Sequence, residues 1–179
     1  MTEEKLLVKR EGDFCYPIYF EKDFSYLSEA LLEEGLSDKK MCIVSDSNVA
    51  PLYASLVKEE LLKITDQVFL FTFPAGETHK NLDTVQDLFQ FLIENGLDRK
   101  SLVVALGGGV TGDLSGFAAA AYLRGIDFLQ VPTTLLAQVD SSVGGKTGVD
   151  FRHFKNMVGA FHQPRLVYMN MTTLQSLPE

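Results

Sequence analysis

The sequence has few cysteines, no long apolar run and no excess of positive charge. Its two cysteines, Cys15 and Cys42, lie far apart and form no CxxC pair, which favours reduced thiols in a cytoplasmic protein. The longest apolar stretch, near Phe117–Leu123, is too short to cross a bilayer, and the charged N-terminus lacks the apolar core of a signal peptide. A net charge of −8 argues against nucleic acid or a membrane surface as partner, because both are polyanionic. We therefore expect a cytoplasmic protein without either partner.

Two common functional motifs are also missing. The three histidines include no HExxH, and no cysteine pair accompanies them, so the chain itself is predicted to hold no metal. The GGKT at Gly144–Thr147 suggests a P-loop, but GxxxxGK[ST] requires glycine at the position of Asp140. Kinase or NTPase activity is excluded on that spacing.

What the sequence does contain is an alternation of strand-like and helix-like segments, with an ordinary 46% of hydrophobic residues. Strands are predicted over residues 6–9, 14–20, 41–45, 68–73, 102–106, 127–131 and 166–169, and helices over 27–32, 51–63, 82–93, 114–123 and 133–139, with a short helix starting at 172–177. Residues 141–164 show the least regular pattern. The alternation predicts an α/β fold with a mostly parallel sheet and helices on both faces.

A glycine motif stands between the predicted fifth strand and the helix that follows it. Gly107, Gly109 and Gly112 fit GxGxxG in the strand-to-helix context that dinucleotide binding requires. The usual acidic partner lies at the end of the next strand, whereas Asp127 stands at the start of that strand. The motif alone therefore predicts either a nucleotide-binding turn or a tight turn without a ligand.

Polar residues follow two other predicted strands. Asp46 and Asn48 come directly after the strand at 41–45, where a carboxylate can accept hydrogen bonds from ribose hydroxyls or can cap the next helix. Glu77 and Lys80, in PAGETHK, can hold a ribose or phosphate or belong to a solvated loop. Five basic residues suit a phosphorylated, carboxylate-bearing ligand, or are scattered over the surface: Arg124, Lys146, Arg152, Lys155 and Arg165.

Taken together, these segments resemble a known family. The stretch ALGGGVTGDLSGFAAAAYLRGIDFLQVPTTLLAQVDSSVGGKTGVD, followed by KNMVGAFHQP and LQSLP, resembles the 3-dehydroquinate synthases, which are sugar-phosphate cyclases. The resemblance implies that residues 1–179 form a Rossmann-like, NAD-binding N-terminal domain, and that the metal-binding helical C-terminal domain is absent from this chain. It implies conversion of the keto-acid sugar phosphate DAHP to 3-dehydroquinate and phosphate, in the shikimate pathway. NAD is the implied cofactor, and a zinc or cobalt ion is implied only for the full-length enzyme, so the chain alone is expected to be inactive.

The resemblance also assigns residues. Those it implies for NAD binding are Asp46, Asn48, Glu77, Lys80, Gly108, Gly109, Val110, Asp113, Thr133, Thr134, Lys146, Lys155, Thr173 and Ser176. Those it implies for substrate binding are Asp140, Lys146, Asn156 and Arg124, the last reaching the site of a neighbouring subunit in a homodimer.

One residue departs from the family pattern. Phe154 precedes Lys155 and Asn156 where the family usually has glycine, and a phenylalanine would shift this loop if the position needs a positive φ. The shared motifs leave three alternatives open: an inosose or valiolone synthase, a glycerol-dehydrogenase-like oxidoreductase, and a non-catalytic NAD-binding module.

Overall fold

A seven-stranded sheet forms the centre of the computed structural model, which describes residues 4–177. The strand order is β1-β2-β9-β6-β5-β3-β4, and a separate two-stranded sheet pairs β7 with β8. The strands are β1 (Glu4–Arg10), β2 (Asp13–Glu21), β3 (Met41–Asp46), β4 (Val68–Phe73), β5 (Leu102–Gly107), β6 (Asp127–Pro132), β7 (Lys146–Phe151), β8 (Phe154–Phe161) and β9 (Val167–Asn170). In the large sheet only β1 and β2 pair antiparallel, which confirms the predicted mostly parallel α/β fold.

Helices cover both faces of this sheet. They are α1 (Leu27–Glu33), α2 (Ala50–Leu61), α3 (Leu82–Glu94) and α4 (Gly109–Ala121). The apolar sides of α1 and α2 pack in one core cluster, and those of α3 and α4 pack in another. Every residue of β5 is buried, as expected for a strand covered on both sides.

The order in which strands are added to the sheet changes direction between β3 and β5: β4 lies beyond β3 on one side, and β6 lies beyond β5 on the other. Strands β3 and β5 are direct neighbours, with Met41 opposite Leu102, yet the helix after β3 lies on one face and the helix after β5 lies on the other. The two chain segments diverge at this point and leave a crevice at the carboxyl ends of the strands. Open parallel sheets bind their ligands in such a crevice.

The prediction of an irregular segment over residues 141–164 was wrong in its centre. Residues 146–161 form the β7–β8 hairpin, which packs on α4. Gly148 and Gly159 face each other in this ladder, and a Cβ on Gly159 would lie 2.2 Å from the carbonyl oxygen of Thr147. Glycines occupy the positions where the strands approach most closely, so the sequence lacks the alternation of apolar and polar residues that marks a strand.

Other boundaries also moved. Helix α4 begins at Gly109, five residues before the predicted start, so two glycines of the motif lie inside its first turns. The helix predicted at 133–139 contains a π-helical turn, Ala137–Ser141, and the short helix near the end is a 3₁₀ helix, Met171–Ser176. The end of the LQSLP motif, Pro178, lies outside the described residues. Within residues 4–177, no helix has the length and apolarity needed to span a membrane.

Candidate functional site

The carboxyl ends of the parallel strands carry most of the predicted site residues. Asp46 ends β3, Gly108 follows β5, Thr133 follows β6, and the segment with Thr173 follows β9. The backbone N–H of Thr133 donates to the carbonyl of Gly107 at 2.9 Å, which ties two of these ends together. Residues that are distant in sequence are therefore neighbours along one edge of the sheet.

The first turn of α4 presents unpaired backbone amides at the crevice. Gly108 is the N-cap, its carbonyl accepts from Gly112 N at 3.1 Å, and no side chain caps the turn or adds negative charge to it. The amides before Gly112 have no intrahelical acceptor, and the helix dipole adds positive potential there. A Cβ on Gly108 would lie 3.2 Å from Thr134 Cγ2, and one on Gly109 would lie 3.1 Å from Ser141 Oγ. The glycines therefore keep the backbone accessible to an anion such as a pyrophosphate.

The Asp46 carboxylate contacts two segments, the turn before α2 and the glycine motif of α4. Oδ1 accepts from the backbone N–H groups of Asn48 and Val49, at 2.8 and 3.1 Å, and so shapes the turn before α2. Oδ2 accepts from Thr111 Oγ1 at 3.3 Å, which brings the carboxylate to the glycine motif of α4. Val49 is the N-cap of α2, so Asp46 supports the turn rather than capping the helix directly. Within residues 4–177, Oδ2 accepts only this one hydrogen bond, so it can accept another from a donor such as a hydroxyl at the crevice.

A buried ion pair lies next to this crevice. Lys80 is 4% exposed, and its Nζ donates to Asp113 Oδ2 and to Asn156 Oδ1, both at 2.6 Å. Burial raises the pKa of Asp113 above its ordinary value, and the neighbouring ammonium of Lys80 opposes that rise. The backbone carbonyl of Lys80 accepts from Asp150 N at 2.8 Å, so the loop after β4, the start of α4 and the hairpin meet at one lysine.

A cavity of about 610 Å³ opens between α4, the π-helical turn and the hairpin. Four of the predicted residues line it: Asp113, Asp140, Lys146 and Asn156. The cavity therefore combines a lysine, two carboxylates and an amide next to the amide-rich end of α4, a set that suits a ligand with several hydroxyl and anionic groups.

Seven of the lining residues were not predicted as site residues from the sequence: Ser141, Val143, Thr147, Gly148, Gly159, Ala160 and Phe161. Phe161 is 81% exposed although it lies on the cavity wall. Phe161 belongs to KNMVGAFHQP, one of the segments that carry the family resemblance, but no chemical argument singled out an aromatic residue in that segment.

Several predicted residues make structural contacts at the edge of the site. Thr173 is buried and accepts from Gln138 Nε2 at 3.3 Å, while Tyr53 donates to Ser176 Oγ at 2.6 Å. Exposed Lys155 forms an ion pair with Glu77 at 3.5 Å across the mouth of the site. Tyr53 and Thr111 were missed by the sequence reasoning, although Thr111 lies inside the glycine motif and is recognisable by position.

The predicted basic residues do not form one patch. Arg124 lies in the turn before β6, at the amino ends of the parallel strands, whereas the crevice lies at their carboxyl ends. Arg165 forms an ion pair with Asp127, the first residue of β6, at 3.7 Å. Arg152 lies in the hairpin turn with its guanidinium 5.3 Å from the ring centre of Phe151. Of the five, Lys146 alone lines the cavity.

The backbone at Phe154 does not have the positive φ that a phenylalanine would tolerate poorly. Phe154 begins β8 opposite Phe151, and the positive φ values lie at Arg152 and Asn156 instead, at 54° and 55°. Asn156 still reaches Lys80, and its backbone N–H donates to Asp150 Oδ1 at 2.8 Å. The phenylalanine is accommodated as an exposed strand residue.

The described part of the chain, residues 4–177, contains no group of three or more His, Cys, Asp or Glu side chains placed to hold a metal ion.

Comparison with known proteins identifies the family of this chain. The family model for the 3-dehydroquinate synthase N-terminal region matches residues 70–179, more than half of the chain. The chain belongs to the 3-dehydroquinate synthase family. The 3-dehydroquinate synthase of Acetivibrio thermocellus is 49% identical over 167 residues, which are 93% of this chain and 46% of that protein. The 3-dehydroquinate synthase of Pelobacter propionicus is 55% identical over 153 residues, 86% of this chain and 42% of that protein. This chain thus spans about half the length of these relatives.

A solved relative has the same fold. A 2-deoxy-scyllo-inosose synthase, crystallised with carbaglucose-6-phosphate, NAD⁺ and Co²⁺, superposes with a TM-score of 0.85 and is 33% identical. The match covers 92% of this chain and 45% of that one. This chain thus shares its architecture with part of a 2-deoxy-scyllo-inosose synthase.

Proposed function

We propose that this chain is the NAD-binding N-terminal domain of a 3-dehydroquinate synthase that converts DAHP to 3-dehydroquinate and phosphate. The observation that carries the proposal is the crevice between β3 and β5, where the Asp46 carboxylate faces the uncapped start of α4 beside a cavity lined by Lys146. A ribose-binding carboxylate next to a pyrophosphate-binding helix start is what a dinucleotide requires.

The residues of the crevice divide between the two ends of NAD. Asp46 and Asn48 would bind the adenosine ribose, and Gly108, Gly109 and Val110 would bind the pyrophosphate through backbone amides. The nicotinamide end would be surrounded by Asp113, Lys146 and Lys155. Further contacts with the cofactor would come from Thr133, Thr134 and the Thr173–Ser176 segment. Lys80 and Glu77 would act on the cofactor from the neighbouring loop, with Lys80 fixed by its contacts to Asp113 and Asn156.

The cavity would hold the sugar phosphate. Lys146 would attract its phosphate and carboxylate, while Asp140 and Asn156 would orient its hydroxyl groups. Bound NAD would supply a transient oxidation of one hydroxyl, which acidifies the adjacent C–H bond so that phosphate can leave. The protein's contribution is to hold charge and orientation around that chemistry.

We further propose that a metal-binding helical C-terminal domain completes the enzyme from outside residues 1–179. Support comes from the length of the relatives and from large apolar side chains exposed around the cavity: Leu135, Leu136, Val139, Phe154, Met157 and Phe161. A surface of this kind is commonly covered by another part of a protein. The metal ligands then belong to the second domain, since the described residues provide none.

Two further expectations belong to the same proposal. The enzyme acts in the cytoplasm, and it forms a homodimer in which Arg124 reaches the substrate of the neighbouring subunit. The position of Arg124, exposed and remote from the crevice of its own chain, supports a role between subunits.

Calorimetry with NAD tests the cofactor assignment in the isolated chain. Asp46→Asn keeps the acceptor that shapes the turn but removes the charge, so NAD affinity should fall about tenfold or more, as for a lost charge-assisted hydrogen bond of about 1.5–3 kcal/mol. Asp66→Asn, an exposed aspartate just before β4, is the matched control and should bind like the parent chain. If neither NAD nor NADH binds the parent chain, the cofactor assignment is wrong.

A chimera tests the reaction. This chain replaces the matching first half of the Acetivibrio thermocellus enzyme, and phosphate release from DAHP is followed with 3-dehydroquinate as product. The isolated chain should show no turnover. Net accumulation of NADH in the chimera would instead favour an oxidoreductase, and binding of NAD without turnover would favour a non-catalytic module.

A second candidate is an inosose synthase, favoured by the TM-score of 0.85 to the 2-deoxy-scyllo-inosose synthase. The lower identity, 33% against 49% and 55% for the 3-dehydroquinate synthases, ranks it second. An inosose synthase would differ from a 3-dehydroquinate synthase by preferring glucose 6-phosphate over DAHP, as measured with the full-length protein. A valiolone synthase would prefer sedoheptulose 7-phosphate.

A further inference from the structure

The turn before β7 is held by several contacts although it is made of two glycines. Gly144 and Gly145 have φ values of 95° and 69°, in the left-handed region, and they lead directly to Lys146 on the cavity wall. The carbonyl of Gly145 accepts from His162 N at 2.8 Å, and the carbonyl of Gly144 accepts from Gln163 Nε2 at 3.2 Å. Both contacts come from the segment after β8.

The third contact comes from the other end of the chain. The backbone N–H of Gly144 donates to the hydroxyl oxygen of Tyr16, at 3.1 Å across 128 positions of sequence. Tyr16 lies on β2 and is fully buried, in the cluster with Ile18, Val167 and Met169. It stands outside residues 70–179, the part matched by the family model.

We infer that Tyr16 is a positioning residue that sets the location of Lys146 in the cavity through its hydrogen bond to Gly144. A pair of left-handed glycines has little conformational preference of its own, so external contacts must select the observed turn. Tyr16 is a rigid partner for this purpose, because its ring is fully buried in the core. The N-terminal hairpin thereby supports the site rather than merely extending the sheet.

This inference rests on the proposed function, in which Lys146 binds the phosphorylated substrate beside the nicotinamide. Its consequence is specific: loss of the Tyr16 hydroxyl should disturb the end of the site near Lys146 and leave the adenosine end at Asp46 unaffected. The two ends are carried by different elements, the β7–β8 hairpin and β3.

Tyr16→Phe tests it, because the ring and its packing remain and only the hydroxyl is lost. In the 179-residue chain, hydrogen–deuterium exchange of the amides of residues 144–146 should become about 3- to 10-fold faster, as expected for one lost hydrogen bond. In the chimera described above, KM for the sugar phosphate should rise by a similar factor, while the loss of NAD affinity caused by Asp46→Asn stays the same as with native Tyr16. A general loss of structure would not produce that separation.

Tyr168→Phe is the matched control. Tyr168 is equally buried and donates to the carbonyl of Asp23 at 2.8 Å, but it packs in the cluster on the opposite face of the sheet. It should leave both the exchange of residues 144–146 and the KM unchanged. Gln163→Ala, an exposed change on the other side of the same turn, should shift both measurements in the same direction as Tyr16→Phe.

Unchanged exchange at residues 144–146 in Tyr16→Phe, or an equal effect of Tyr168→Phe, would overturn the inference. The exchange measurement needs no turnover, so it remains decisive if the chimera is inactive. An inactive chimera with the native Tyr16 would count against the proposed function instead, and an active one insensitive to Tyr16→Phe would count against the positioning role.

Discussion

Lys80 is the residue whose environment the sequence described least well. The sequence allowed either a ligand contact or an ordinary solvated loop, whereas the structure buries its ammonium between Asp113 and Asn156. A buried charge is tolerated only when it is paired and hydrogen-bonded, and both conditions are met here. Such a pair contributes little to stability as a pair, yet removal of one partner leaves the other charge unsolvated.

Lys80→Met should therefore destabilise the fold by about 3–5 kcal/mol, the cost of an uncompensated buried charge. It should also raise the pKa of Asp113 further, because the group that opposes the effect of burial is gone. Chemical denaturation measures the first effect, and carbon-detected NMR titration of the aspartate carboxyl measures the second. Lys63→Met removes an exposed ion pair with Glu60 and should not move the unfolding midpoint. A double change, Lys80→Met with Asp113→Asn, should recover part of the loss; no recovery would argue against an ion pair.

The two cysteines should differ in reactivity. Burial raises the pKa of Cys42 to about 12, so its thiol is neutral and inaccessible in the folded chain, whereas Cys15 is only half-buried. Iodoacetamide at mildly alkaline pH should label Cys15 in the native protein and both residues after unfolding, as mass spectrometry would show. Since the folded pKa of Cys42 lies above its unfolded value, this group favours the folded state less as pH rises above the ordinary thiol pKa. Native labelling of Cys42 at the rate of Cys15 would contradict its burial.

At the scale of elements, α4 joins the sheet, the hairpin and the crevice. Its glycines lie on the side that touches other elements: a Cβ on Gly112 would approach Gln130 Oε1 to 2.5 Å, and one on Gly116 would approach Thr147 Cγ2 to 2.4 Å. The GGGVTGD run was interpreted as a turn, so this helix was predicted to start only at residue 114, and glycine is indeed a poor helix former. Close packing outweighs propensity here, because Gly112 leaves room for Gln130 of β6 and Gly116 leaves room for Thr147 of the hairpin.

Gly116→Ala should destabilise the protein by about 1–3 kcal/mol, although alanine favours helices more than glycine does. The added methyl would collide with Thr147 and press on Phe128, 3.1 Å away. Thr147→Ser removes the obstructing methyl, so the double variant should regain part of the stability measured by thermal unfolding. If Gly116→Ala alone is neutral or stabilising, the hairpin does not pack as closely as described.

The sequence predicted the elements whose signal is local. Strands β3, β4, β5 and β6 are short apolar runs, and the amphipathic α3 was placed within one residue at its end. The β7–β8 hairpin was missed because its pairing depends on a glycine pair and on contact with α4, neither of which leaves a periodic pattern. For the site, the residues at strand ends were predictable from topology, whereas the partners of Lys80 and the contact of Tyr16 depend on distant segments meeting in three dimensions.

At the scale of the whole molecule, an acidic chain offers its anion-binding groups at one place. The net charge is −8, yet the amides of α4 at the crevice lie beside the cavity that Lys146 lines. Around the same cavity lie apolar side chains with no cover, among them Val139 at 68% and Phe161 at 81% exposure. The polar centre and its apolar rim fit a surface on which a second domain closes over bound ligands.

The apolar rim makes a prediction about the isolated chain. It should bind a hydrophobic fluorescent dye such as ANS, and Val139→Ser combined with Phe161→Ser should reduce that signal because these side chains form the uncovered surface. Ile93→Ser serves as control: Ile93 is 65% exposed on α3, away from the cavity, and should change the signal much less. In the chimera the second half should cover the rim, so the dye signal should fall and the Val139 and Phe161 changes should lose their effect on it. A chimera that binds the dye as strongly as the isolated chain would show that the second half docks elsewhere.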